Sequence, residues 1–157
     1  MASATLLCID DSLQVLQLRK AALESYGYCV EIAASGEAAI KILRESPVAA
    51  VLLEYKLEGM DAEAVAYHIK QRFPDVPVIL VSAYSEIPER TLWLVDDYVM
   101  KSEMPDGVAR VIQRALHSAG TQETYRRAVS INLTDVQSAS MQNCSTGPIS
   151  EIYRKAR

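Results

Sequence analysis

The sequence predicts an α/β fold: a doubly wound, five-stranded parallel sheet in a single domain with a C-terminal tail. Three observations carry that expectation. Five short apolar or alternating runs are each followed by a segment of helical periodicity, and such alternation builds a parallel sheet covered on both faces. The first, third and fourth runs are nearly continuous in apolar residues, as strands buried on both faces require. The length, 157 residues, suits one domain of roughly 100–150 residues plus an extension.

Residues 5–10 read as the first strand. Ser12 caps the segment after it and Gly27 ends that segment, with Leu13, Leu16, Lys20 and Leu23 at helical spacing and the lysine at the edge of the face. Residues 29–33 form an alternating second strand. Ser35 caps a helix with Ala39, Ile42 and Leu43 on one face, and residues 49–53 are the third strand. Asp61 caps a helix lined by Val65, His68, Ile69 and Phe73, which ends between Pro74 and Pro77. Residues 78–81 are the fourth strand, residues 86–94 a weak helix and residues 98–100 a short fifth strand. Pro105 fits the first turn of a last helix, where Val108, Val111, Ile112, Ala115 and Leu116 repeat at helical spacing. From about Ser118 the pattern fades, and no second domain or internal repeat is expected.

The chain carries 16 Lys+Arg and 20 Asp+Glu, a net charge of −4. Residues 1–117 hold 11 basic against 17 acidic residues, and residues 118–157 hold 5 against 3. An acidic globular part argues against a nucleic-acid surface. No apolar run approaches the roughly 18–20 residues of a membrane span, and the first residues do not resemble a signal peptide. The cysteines are Cys8, Cys29 and Cys144. An odd count without CxxC spacing predicts neither a disulfide framework nor a zinc site. Cys8 and Cys29 are expected as buried free thiols, which fits a reducing, cytoplasmic setting.

In sheets of this kind ligands bind beyond the carboxyl ends of the strands. The first strand ends in Asp10-Asp11, the third in Glu54, the fourth in Ser82 and the fifth in Lys101. Three carboxylates gathered in one crevice repel unless a cation joins them, and oxygen ligands suit a hard divalent ion such as Mg2+. Lys101 and the Ser82 hydroxyl would clamp an anion such as a phosphoryl group. Each residue has a plainer reading, Asp11 or Ser12 as a cap, Glu54 as a loop carboxylate, Ser82 as the start of a turn. Their joint order at the strand ends favours the site.

At these residues, over about residues 4–117, the chain resembles the receiver (CheY-like) domain of two-component response regulators. The resemblance implies the flavodoxin-like receiver fold and a signalling module, not an enzyme. It implies Mg2+ held by Asp10, Asp11, Glu54 and the backbone carbonyl of Lys56. It puts Glu54 at the phospho-acceptor position, where the family has aspartate, with Ser82 bonding a phosphoryl oxygen and Lys101 pairing with it. Tyr98 matches the aromatic switch residue, whose ring swings inward when the Ser82 hydroxyl moves toward the phosphoryl group. The implied partners are a histidine kinase or phosphotransfer protein and a downstream protein on the face of helix four, strand five and helix five. Pairing of two copies through that face is open, and no nucleic acid or membrane is expected.

Several residues depart from the family pattern. Glutamate is one methylene longer than aspartate, about 1.5 Å further into the crevice, and misplacement of ~1 Å can slow an in-line transfer ~10²-fold. Glu54 is therefore expected to be non-phosphorylatable, with its charge partly where a phosphoryl group would lie. It reads either as a lock or mimic in an altered working receiver or as the mark of a phosphorylation-independent pseudo-receiver that serves as an interaction or dimerisation module. Ser102 follows Lys101 where the family usually has proline. The span from Ser82 to Lys101 is short, so helix four is expected to be short or irregular. Proline is missing near Glu58, and Ala62 stands in place of glycine. His68 is expected at the core or rim, His117 at a helix end, and Trp93 in packing near helix four. A phosphatase with Asp-x-Asp at the first strand and a flavin protein with a phosphate loop there both fail at Asp10-Asp11-Ser12.

Overall fold

The structure, a computed structural model, describes residues 4–104 and 106–118, with side chains up to Ala115. Pro105, the side chains of Leu116 and His117, Cys144 and the extension expected from about residue 118 lie outside the described residues. The elements run β1 (Thr5–Ile9), α1 (Leu13–Ser25), β2 (Cys29–Ala33), α2 (Gly36–Glu45), β3 (Ala50–Glu54), α3 (Ala62–Arg72), β4 (Val78–Ser82), α4 (Glu89–Leu92), β5 (Asp97–Met100) and α5 (Asp106–Ser118). A 3-10 turn, Lys101–Glu103, joins β5 to α5. The five strands form one parallel sheet in the order β2-β1-β3-β4-β5.

Each face of the sheet has its own core. Leu6, Cys8 and Leu52 pack with Leu16 and Leu23 of α1 and with Val108 and Ile112 of α5. Leu7, Ile9 and Leu53 pack on the other side with Ala39 of α2 and with Val65 and Ile69 of α3. Burial on both faces is the physical reason that β3 and β4 are apolar until their last residues. Three helices open on side-chain caps. Ser12 accepts from the Val15 amide at 3.4 Å, Ser35 from Ala38 at 3.1 Å and Asp61 from Glu63 at 2.9 Å. Gly27, with φ 88°, turns the chain out of α1 toward β2.

Four local expectations change. The buried stripe of α1 is Leu16, Arg19 and Leu23, whereas Leu13 is 54% exposed. On α3, Ala66 takes the buried place and His68 is exposed, its ring set edge-on to Tyr67 with centroids 5.7 Å apart. Cys8 is a buried free thiol, but Cys29, expected as a second one, is only half-buried and is not free. Trp93 is 80% exposed instead of packed. The expected weak helix over 86–94 is a single turn, Glu89–Leu92, entered at Pro88. Proline lacks an N–H and drives the residue before it to extended backbone, so Ile87 cannot carry the helix further back.

Candidate functional site

The register fixes where the strand ends meet. Ile9 pairs with Leu53, Glu54 with Val81 and Ser82 with Met100, so the residues that follow these positions open on one edge of the sheet. The chain leaves β1 for β2 on one side and returns to β3 on the other. That reversal leaves a crevice between the ends of β1 and β3.

Glu54 is at its centre and is only 2% exposed. Its Oε2 is 2.9 Å from the Lys101 Nζ and 3.0 Å from the Arg19 Nη2. Its Oε1 accepts from the Lys56 amide at 3.3 Å. Asp10, also buried, accepts from the Ser12 amide through Oδ1 at 2.9 Å and turns Oδ2 to the same Arg19 Nη2 at 3.6 Å. Burial holds the Asp10 carboxyl above its usual pKa, against the opposing pull of the Ser12 amide and Arg19.

Arg19 is the residue that the periodicity reading missed. It lies three residues after Leu16 and four before Leu23, on the buried stripe of α1. Its position was legible; its partners, 9 and 35 residues away in sequence, were not.

The other expected residues do other work here. Asp11 turns to the loop after β3, where its Oδ2 accepts from the amides of Gly59, at 2.7 Å, and Glu58. Those two amides, Gly59 first, hold its carboxyl below the usual range. The buried Ser82 hydroxyl accepts from the Tyr84 amide at 2.9 Å and donates to the Tyr84 carbonyl at 3.2 Å. The Lys56 ammonium lies 5.9 Å from the centre of the Tyr84 ring. Tyr98 is 41% exposed. The structure thus gathers Asp10, Glu54, Lys101 and Arg19, and leaves Asp11, Ser82 and Tyr98 bonded or exposed elsewhere.

This donor set does not fit Mg2+ as it stands. The ion needs near-octahedral oxygens at about 2.0–2.1 Å. Two of the three carboxylates face one guanidinium nitrogen and the third holds loop amides. Among the described residues no three Asp, Glu, His or Cys side chains are gathered as a metal group.

Comparison with known proteins agrees with this architecture. Residues 6–113 match the response regulator receiver domain family. A putative NtrX-like response regulator of Rickettsia bellii is 32% identical over 120 residues, covering 73% of this chain and 25% of that protein. The chain therefore spans about a quarter of the length of that curated relative. The response regulator TrrA of Thermotoga maritima, solved in complex with Mg2+ and BeF, superposes with a TM-score of 0.64 at 29% identity, covering 72% of this chain and 99% of TrrA. The same protein solved with the histidine kinase ThkA gives a TM-score of 0.64 at 29% identity over 72% of this chain and 98% of that one. Among the described residues no helix is long and apolar enough to cross a membrane.

Proposed function

The chain belongs to the response regulator receiver domain family of two-component signalling, and from that premise we propose that it is a receiver whose crevice is set by Glu54 instead of by a phosphoryl group. One observation carries the reading: the carboxylate at the acceptor position is already paired with Lys101 at 2.9 Å. In a phosphorylated receiver that lysine would serve a phosphoryl oxygen. Here the extra methylene of glutamate, about 1.5 Å of reach, delivers a side-chain oxygen to it.

The imitation is partial. A carboxylate brings one charge and two oxygens, whereas a phosphoryl group brings about −1.5 to −2 and three acceptors. The two oxygens of Glu54 are used by Arg19, Lys101 and the Lys56 amide. The Ser82 hydroxyl remains with Tyr84, and Tyr98 is 41% exposed. Nothing is left over to draw the hydroxyl in. This favours a receiver held in one state, acting through contacts and not through cycles of phosphorylation, which is also what the second reading, an interaction or dimerisation module, requires.

In this reading the upstream partner is a histidine kinase or phosphotransfer protein, as in the complex of TrrA with ThkA. The downstream partner, or a second copy, meets α4, β5 and α5, where Trp93 and Tyr98 are exposed. A cytoplasmic setting belongs to it. Mg2+ at Asp10, Asp11, Glu54 and the Lys56 carbonyl does not, because Arg19 stands between two of those carboxylates.

The test is intact mass after exposure to a small phosphodonor, on this protein and on Glu54→Asp. The expected result is a gain of one phosphoryl mass on the Asp form alone. A gain on neither form would favour the interaction module. A phosphoryl group mapped to Glu54 itself would overturn both readings.

A further inference from the structure

We infer that Arg19 takes the place of the divalent cation in this crevice, so that the protein holds its site without metal. The inference goes beyond the proposed function, because it concerns how the acidic cluster is neutralised and does not depend on whether the domain is ever phosphorylated. It starts from a single atom. The Arg19 Nη2 stands 3.0 Å from Glu54 Oε2 and 3.6 Å from Asp10 Oδ2, bridging the end of β3 to the residue after β1. A cation that joins those two carboxylates is what three acids at one strand edge call for.

Two further observations set this arginine apart from a surface ion pair. Its side chain is 6% exposed, and the carboxylates it meets are 5% and 2% exposed. Its other terminal nitrogen, Nη1, is buried without a hydrogen-bond partner. Burying a guanidinium is unfavourable unless the paired charges repay the desolvation. The arginine is therefore anchored by the cluster, and the cluster by the arginine. Leu16 and Leu23, one turn to either side on α1, are both fully buried, so the packed face of the helix carries Arg19 toward the sheet.

The charges and the ligands point the same way. Arg19 and Lys101 stand against Asp10, Asp11 and Glu54, so the excess of negative charge is already reduced to one. One oxygen of each carboxylate is already engaged: Asp10 Oδ2 and Glu54 Oε2 by Nη2, Asp11 Oδ2 by the amides of Gly59 and Glu58. Entry of a divalent ion would set a double positive charge beside a buried guanidinium, and repulsion between them opposes binding.

The experiment is a titration with Mn2+, with free ion counted by its electron paramagnetic resonance signal, alongside thermal unfolding in Mg2+ and in EDTA. It uses no phosphodonor, so its outcome is separate from that of the acceptor test. This protein is expected to leave Mn2+ free up to millimolar concentration and to unfold at the same temperature in both solutions. Arg19→Gln is expected to bind Mn2+ at least tenfold more tightly and to unfold at a higher temperature in Mg2+ than in EDTA. If Arg19→Gln does not fold in EDTA, Mg2+ is expected to restore it. Tight Mn2+ binding by the unaltered protein would overturn the inference. So would a folded Arg19→Gln that binds no ion, or one that neither solution folds, since the ion would then be unable to replace the guanidinium.

Discussion

The Lys101 ammonium and the Glu54 carboxylate stand 2.9 Å apart, and the two side chains meet water very differently, 43% and 2% exposed. Glu54 has a second cation, Arg19, on its buried side at 3.0 Å. One carboxylate oxygen thus joins a wet ion pair to a dry one, and the two are not expected to contribute equally.

Arg19→Met should destabilise the protein far more than Lys101→Met. Removing one partner of a buried pair strands the other and costs about 3–5 kcal/mol. A pair whose cation is half in solvent contributes about 0–1 kcal/mol. Urea unfolding of the two variants measures the difference. A larger loss for Lys101→Met would mean that the buried pair is not the one holding the crevice together.

Asp11 ties the start of α1 to the loop after β3 through the Gly59 and Glu58 amides. Hydrogen bonds to an ionised group contribute about 1.5–3 kcal/mol, so Asp11→Ala should raise amide exchange at Glu58 and Gly59 about tenfold or more. Amides within β3, closed by ladder bonds to β1 and β4, should change little. Unaltered exchange at Gly59 would show that the loop holds itself.

Which parts of this were readable from sequence follows from the range of the forces. The caps Ser12, Ser35 and Asp61 act within three residues, and the apolar runs of β3 and β4 state their burial directly; these were legible. Gly27 was legible because its role is conformational. Arg19 is hidden because hydropathy alone ranks arginine as solvent-seeking, and Leu13 and Lys20 fit the helical spacing beside it. The decisive fact, two buried carboxylates waiting at the ends of other strands, is a tertiary one. His68 differs for the opposite reason: its spacing fits the apolar positions, but the buried stripe runs through Ala62, Val65, Ala66 and Ile69 and leaves it on the flank. The shortness of α4 was expected from chain length, and Pro88 supplies the mechanism. At the crevice, the strand-end positions of Asp10, Glu54 and Lys101 were foreseen, whereas the engagement of Asp11 with loop amides depends on a loop whose path no local pattern states.

Alkaline pH should weaken the fold through Cys8. Burial pushes this thiol from the ordinary 9.0 up to about 12, with Arg19 and Lys20 opposing and Asp10 adding to the rise. Between those values the unfolded chain loses the proton and the folded one keeps it, so the unfolded state binds fewer protons and stability falls as pH rises. The contribution is complete below about pH 9 and declines toward pH 12 by up to about 1.4 kcal/mol per pH unit. Thermal unfolding across that window should show a steeper decline for this protein than for Cys8→Ala. Equal slopes would place the alkaline sensitivity in other groups.

The last expectation concerns Gly107 in the first turn of α5. A Cβ added there would lie 2.8 Å from the Glu103 Cβ and 3.0 Å from the Val99 Cγ2. Neither neighbour is the far end of a flexible chain, so the 3-10 turn and β5 must give way. Overpacking of this kind costs about 1–3 kcal/mol. Gly27→Ala is the useful contrast: nothing lies within 4 Å of its added Cβ, but φ of +88° is strained for any L residue, at about 1–2 kcal/mol. The two variants should lose comparable stability and differ in reach. Gly27→Ala strains only its own turn, whereas Gly107→Ala presses on Glu103, two residues from Lys101. Backbone chemical-shift changes should therefore spread to Lys101 and Glu54 in Gly107→Ala and remain near Gly27 in the other. If neither variant moves the Lys101 resonance, the turn absorbs the added methyl by itself, and the Glu54–Lys101 pair is insulated from how α5 docks.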